Sequence, residues 1–296
     1  MRAAAVLLAL LCACRSGPPP ASLRDPLAEP ELPSGLDVQD RPYPKLTYAP
    51  FPGRPSRGEL RWDQVVQGQL GSCFFLATLA ELVKTRPDFV ARRIRDDGNG
   101  AYAVTLYRPD GRPVSVEVDD RFPAAASGAP YFGRGLDPAE IRPALFEKAF
   151  AKLSGGYSAI DGGDATAAFR ALTGAPAREH ANRRLSEDSL WRLLASALKG
   201  GRPVVASTLD RTELKRASGR EDLGGVIDDH VYAVLDLDEE GGRRFVSLYT
   251  PLSPADAGCA KDGPRLLKLT LDDFKRDFDS VTIGTFRDGA SAAPGL

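Results

Sequence analysis

The sequence predicts an α+β fold in two parts. A helical part carries a lone cysteine, a β-rich part carries a histidine, and a cleft lies between them. Three observations support this. FFLATLAELV, an apolar helix-forming run, stands directly behind Cys73. Residues 137–153 set Ile141, Leu145, Phe146, Ala149, Phe150 and Leu153 on one helical face. Beyond residue 200 the pattern turns to short strand-like runs at 204–207, 231–237, 244–250, 266–269 and 281–286.

The N-terminus reads as an export signal. Met1-Arg2 is a short positive start, residues 3–11 are apolar, and small residues follow. The run is too short to span a bilayer as a mature helix. Leu11-Cys12-Ala13-Cys14 resembles a bacterial lipobox. That resemblance implies cleavage before Cys14, lipidation of its thiol, and a protein anchored on the periplasmic or cell-surface side of a membrane. Residues 15–54 are rich in proline and predict an extended linker without helix or sheet ladder. The Cys-bearing part is expected over 55–174, the His-bearing part over 175–287, and a frayed tail over 288–296.

Within the body, 87–97 (PDFVARRIRDD) predicts a second helix that stops at Gly98. The runs 102–107 and 114–118, joined by Arg108-Pro109-Asp110-Gly111, predict a β-hairpin. Gly174-Ala175-Pro176 marks the boundary between the two parts, and residues 186–199 read as an amphipathic helix ending at Gly200-Gly201. A long polar loop is expected over 210–229.

A chain of 296 residues with a formal net charge of −1 buries a substantial core but presents no basic field for nucleic acid. Of its four cysteines, Cys12 and Cys14 belong to the export signal. Cys73 and Cys259 remain, a pair that one disulfide would join in an oxidising compartment and whose spacing makes no metal site.

Cys73 follows a glycine-bearing turn and opens a helix, where unpaired backbone N–H groups and the helix dipole favour a thiolate. Gln67 has an amide that can reach an oxyanion beside the sulfur. A small buried cysteine packed under a helix start is the ordinary alternative. Only two histidines are present. His180 sits in an exposed-looking connection and reads as a surface residue. His230 ends a loop and opens the apolar strand Val231-Tyr232-Ala233-Val234, a position from which its ring can face a cleft.

These stretches resemble the calpain family of cysteine proteases, whose cysteine lies in a Q-G-x-L-G-D-C-W-like run. Gln67, Gly68, Leu70, Gly71 and Cys73 match, while Ser72 replaces Asp and Phe74 replaces Trp. A second likeness covers Glu147, Lys148, Ala149, Lys152, Leu153, Gly155, Tyr157, Gly162, Gly163, Leu172, Thr173 and Gly174. His230, Tyr232 and Val234 fit the family's G-H-A-Y-S-V, with Asp229 in place of Gly. The family's L-R-N-P-W-G run aligns with 248–253, so Thr250 stands at the Asn position and Leu252 at the Trp.

The resemblance implies a papain-like calpain core that hydrolyses peptide bonds in a protein or peptide substrate. Cys73 would be the nucleophile and His230 its base, as a thiolate–imidazolium pair. Gln67 would be the oxyanion donor and Thr250 a weaker substitute for the orienting Asn. A catalytically impaired binding module on the same fold is the alternative, and an acyl transferase using the same pair is a third reading. The resemblance also implies that calcium can bind, although Gln64 occupies the position of one family Asp ligand and Asp63 is one residue off. Residues 236–241 superficially resemble an EF-hand loop but read better as a hairpin turn.

Overall fold

The computed structural model describes residues 25–287, apart from 26–27, 39, 52, 54, 56–57, 127, 129, 211, 214–215, 217–225 and 253–265. The export signal, Cys14, Cys259, most of the expected polar loop and the tail lie outside the described residues.

The helical part is built on α1 (Cys73–Thr85), α2 (Arg142–Ser154) and α3 (Ala165–Thr173), with the antiparallel strands β3 (Ile94–Gly98), β4 (Ala101–Tyr107) and β5 (Pro113–Asp119) beside them. The predicted hairpin is β4–β5, closed by a turn in which Gly111 takes a positive φ. The predicted second helix does not form. Pro87 ends the preceding helix, 87–93 run as turns, and Ile94–Gly98 pairs with β4, burying no continuous helical face. α2 starts at Arg142, not at 137. Asp137 instead turns the chain through its carboxylate to the Ala139 N–H, and Pro143 supplies the first-turn geometry.

The expected linker is also different in structure. From Asp25 onward its described residues pack on the body. β1 (Thr47–Pro50) pairs antiparallel with β6 (Arg121–Ala124). The fully buried Lys148 ammonium meets Glu29 at 2.6 Å and Asp119 at 2.5 Å, and the Lys152 ammonium donates to the Asp25 carbonyl. Proline is tolerated here because an edge pairing spares half of its N–H positions. The composition signalled an open tether, and two buried lysines one helical turn apart on α2 supplied anchors that composition does not show.

The β-rich part is one six-stranded antiparallel sheet in the order β12–β11–β10–β9–β13–β8. Its strands are β8 (Arg178–Ala181), β9 (Val204–Thr208), β10 (Val231–Glu240), β11 (Arg243–Tyr249), β12 (Leu266–Thr270) and β13 (Phe278–Ile283). β8 carries His180, so that residue lies on an edge strand paired with Val281 and not in a connection. α4 (Glu187–Lys199), capped by Ser186, and α5 (Leu271–Asp277), capped by Thr270, cover one face of the sheet.

β10 shows how the two parts are joined. Val231 and Ala233 belong to the core that α1 shares, whereas Tyr232 and Val234 belong to the second core under α4 and α5. The period-two alternation of the strand therefore packs both faces at once. α1 lies directly on β10 and β9, which brings the start of the Cys73 helix to the start of the His230 strand. Residues 236–241 form the β10–β11 hairpin, with Asp236 opposite Ser247.

Candidate active site

The loop before Cys73 is held by backbone and by buried acids. Gly68 is pressed against the Tyr131 and Phe132 carbonyls, leaving no space for a Cβ. Gly71 donates its N–H to Asp161 Oδ1 at 2.8 Å and accepts the Gly162 N–H at 2.9 Å. Ser72 does not cap α1. Its hydroxyl donates to Glu147 Oε1 at 2.6 Å, and Glu147 Oε2 accepts the Gly133 N–H at 2.8 Å. Burial raises the Glu147 carboxyl to about 7. The Ser72–Glu147 contact was not read from the sequence, which showed Glu147 only as a match to a family run.

Cys73 is the first residue of α1 and is a free thiol. Three backbone N–H groups face its sulfur, those of Val231, Phe74 and Cys73 itself. Burial nevertheless wins: the thiol is pushed up to about 11, first by desolvation and further by the Asp229 carboxylate. The helix-start expectation of a ready thiolate is therefore corrected. Three dipoles and a helix end offset only part of the cost of removing a charged sulfur from water.

His230 is held through its backbone by Thr208. The His230 N–H donates to Thr208 Oγ1 and the Thr208 N–H donates to the His230 carbonyl, both at 2.9 Å. Thr208 escaped sequence reading because a single hydroxyl in an apolar strand gives no local signal. Asp229, with φ at 48°, makes the sharp entry that the family's Gly would make. The Tyr232 ring meets the imidazole edge-on at 5.0 Å.

His230 Nε2 lies 2.7 Å from Thr250 Oγ1, which also accepts the Leu252 N–H at 3.1 Å. Both side chains are buried, each residue being 5 % exposed. Burial lowers the imidazole to about 3, opposed only by the Asp228 carboxylate. Burial therefore opposes the expected thiolate–imidazolium pair at both of its members and favours a neutral thiol beside a neutral imidazole.

Gln67 lies where the two parts meet. Its backbone N–H donates to the Pro251 carbonyl at 2.8 Å, and it bridges to Leu252 in parallel register. Tyr249, one residue before Thr250, donates its hydroxyl to the Val65 carbonyl at 2.6 Å. These ties set the Thr250 loop against the loop that leads to Cys73. One N–H of the Gln67 amide goes to the Leu70 carbonyl at 2.6 Å, which leaves the second for another acceptor. Its Oε1 is buried without a partner among the described residues.

The position of the family's calcium ligand does not fit a cation. The Asp63 carboxylate is paired with Arg61, and Gln64 Oε1 accepts the Asp137 N–H at 3.0 Å. No cluster of three His, Cys, Asp or Glu residues with metal-binding geometry occurs among the described residues.

A cysteine at a helix start, a histidine on a facing strand and a hydroxyl on the far ring nitrogen define the class of thiol-dependent hydrolases with a papain-like layout. The chain belongs to the calpain family of cysteine proteases, whose model matches residues 56–252 and so contains Cys73, His230 and Thr250. It is 29% identical over 203 residues to the calpain-type cysteine protease DEK1 of Zea mays, covering 66% of this chain and 9% of that protein. Calpain-9 of Mus musculus is 32% identical over 186 residues, covering 62% and 26%. The calpain-2 catalytic subunit of Bos taurus is 30% identical over 240 residues, covering 75% and 33%. The chain thus spans a third or less of the length of these relatives.

Proposed function

We propose that this protein is a cysteine endopeptidase that cleaves peptide bonds of protein or peptide substrates with Cys73 and His230. The observation that carries the reading is the 2.7 Å contact between His230 Nε2 and Thr250 Oγ1. It occupies one ring nitrogen and leaves the other, Nδ1, as the one that takes the thiol proton in the working tautomer. Because burial disfavours both charged forms, proton transfer accompanies attack. The sulfur bonds to the scissile carbonyl carbon while its proton passes to Nδ1. The negative oxygen is met by the Cys73 N–H and the second N–H of Gln67. His230 then gives the proton to the departing amine, and water, deprotonated by the same ring, releases the acyl group from sulfur.

Labelling with an epoxide or chloromethylketone thiol reagent tests this. Cys73→Ala should lose labelling and at least about 10⁴-fold in kcat, and Cys259→Ala should lose neither. Equal loss in both variants would point to a structural role for the thiols.

A second reading, a binding module with a silenced site, is favoured by the neutral resting pair and by Thr250 and Leu252 at the positions of the family's Asn and Trp. Substrate binding with no turnover and no labelling would select it. Calcium enters neither reading as a derived step, because Asp63 and Gln64 are already engaged.

We also propose that the protein is exported and held at a membrane by a lipid on Cys14. No helix among the described residues is long and apolar enough to cross a membrane. Cys14→Ser should move the protein from the membrane fraction to the soluble one with the fold retained, and an unmodified mature N-terminus by mass spectrometry would contradict the anchor.

A further inference from the structure

The chemistry of Thr250 differs from that of an Asn in one respect that decides the proton on His230. This inference deepens the reading of Cys73 and His230 as a working pair, and its test does not depend on activity. A hydroxyl offers one hydrogen and two lone pairs, whereas an amide oxygen only accepts. Thr250 Oγ1 accepts the Leu252 N–H at 3.1 Å and touches His230 Nε2 at 2.7 Å. Among the described residues Nε2 is the only acceptor that Oγ1 meets. Were Nε2 to carry a proton, the hydroxyl would accept twice and its own hydrogen would be buried without an acceptor, which costs more than the bond itself returns. The His230 ring is buried, and its tautomer follows from what its partner donates.

We propose that the Thr250 hydroxyl donates to His230 Nε2 and holds the resting imidazole as its Nδ1–H tautomer. Nδ1 is the ring nitrogen nearer the main chain, and the Val231 N–H next along that chain faces the Cys73 sulfur. In this state Nδ1 carries a proton and cannot take one from the thiol. The working tautomer forms when Nδ1 gives its proton to solvent water, Nε2 takes one from solvent water, and the Thr250 hydroxyl rotates to accept the new Nε2–H. Charge and protons balance, and one hydroxyl rotor becomes the gate on the base. Thr250 is therefore a positioning residue that selects the wrong tautomer at rest, where an Asn turned to present its amide oxygen would select the right one.

Nitrogen-15 NMR of the full chain, labelled at histidine, reads this directly. The sequence has two histidines, so His180→Gln leaves the His230 signals alone. At pH 7 the expected spectrum has a protonated-type shift at Nδ1 and a bare-type shift at Nε2. Thr250→Ser should keep that pattern, and Thr250→Asn should reverse it. If the Asn variant does not fold, Thr250→Val serves instead and should lose the single-tautomer spectrum, since valine neither donates nor accepts. A protonated Nε2 in the otherwise wild-type site overturns the proposal, as does an imidazolium protonated at both nitrogens or a pure Nδ1–H form in Thr250→Val. The predicted tautomer in a protein that cleaves nothing would sink the protease reading and leave this one standing.

Discussion

The two ends of the site are built in different ways. The Cys73 end is a short loop whose every turn is locked by distant parts of the chain: Gly68 against two carbonyls, Gly71 on Asp161, Ser72 on Glu147. The His230 end is assembled within one sheet, from the neighbouring strands β9 and β10 and the exit of β11, and its chemistry depends on one hydroxyl hydrogen. The difference teaches that the nucleophile's place is over-determined while the base's proton is not. Substitution at the first end should cost folding; at the second it should change chemistry with the fold intact.

The largest effect expected concerns both ends together. With the thiol pushed up to about 11 and the imidazole down to about 3, the thiolate fraction of the free protein grows across the whole neutral and alkaline range. The sign follows from the thiol: its deprotonated form is the nucleophile, so a raised pKa moves reactivity to higher pH. Alkylation of Cys73 by iodoacetamide should rise about tenfold per pH unit between pH 7 and 10. A rate already level by pH 6 would show a resting ion pair and remove the contrast between the ends.

Next comes Gly68→Ala, which tests whether the nucleophile loop is as rigid as its contacts imply. The new Cβ would collide with the backbone oxygens of Tyr131 and Phe132, and backbone cannot swing aside as a side chain can. Chemical denaturation should show a loss of about 1–3 kcal/mol, with activity falling in step. A neutral result would mean that the loop has slack.

The smallest effect is Thr250→Asn. An amide oxygen fixes Nε2–H, so kcat should rise about tenfold with KM and stability little changed, since orientation of the base counts mainly in the transition state. Leu252 is itself 5 % exposed, and its backbone N–H already ties it to Thr250 Oγ1. No change in kcat would place the limiting step elsewhere.

Much of this was legible in the sequence because its signals are local. The apolar run behind Cys73, the amphipathic stretch 186–199, the hairpin runs 102–107 and 114–118 and the alternation of 231–237 each act within a few residues, and each element formed where its pattern stands. Family likeness put Thr250 at the orienting position, and the ring contact is there. One failure is local: residues 94–98 form a hairpin with β4, the very next strand. The others share a cause: 47–50 pair because β6 offers a ladder, a partner that no short window contains. His180 became an edge-strand residue for the same reason.

By itself, then, the sequence determined which residues are present to do chemistry and which segments are helical or extended, since propensity, capping and periodicity are properties of neighbouring residues. Only the tertiary structure decided their charge and their protons. Stacking α1 on β10 takes His230 out of water and leaves Cys73 only partly exposed, and desolvation raises the thiol against the pull of the helix start. Thr208, Gln67 and Tyr249 then set the two loops in register across that contact. Burial and the hydrogen of one hydroxyl are consequences of three-dimensional packing, and no reading of residues in order contains them.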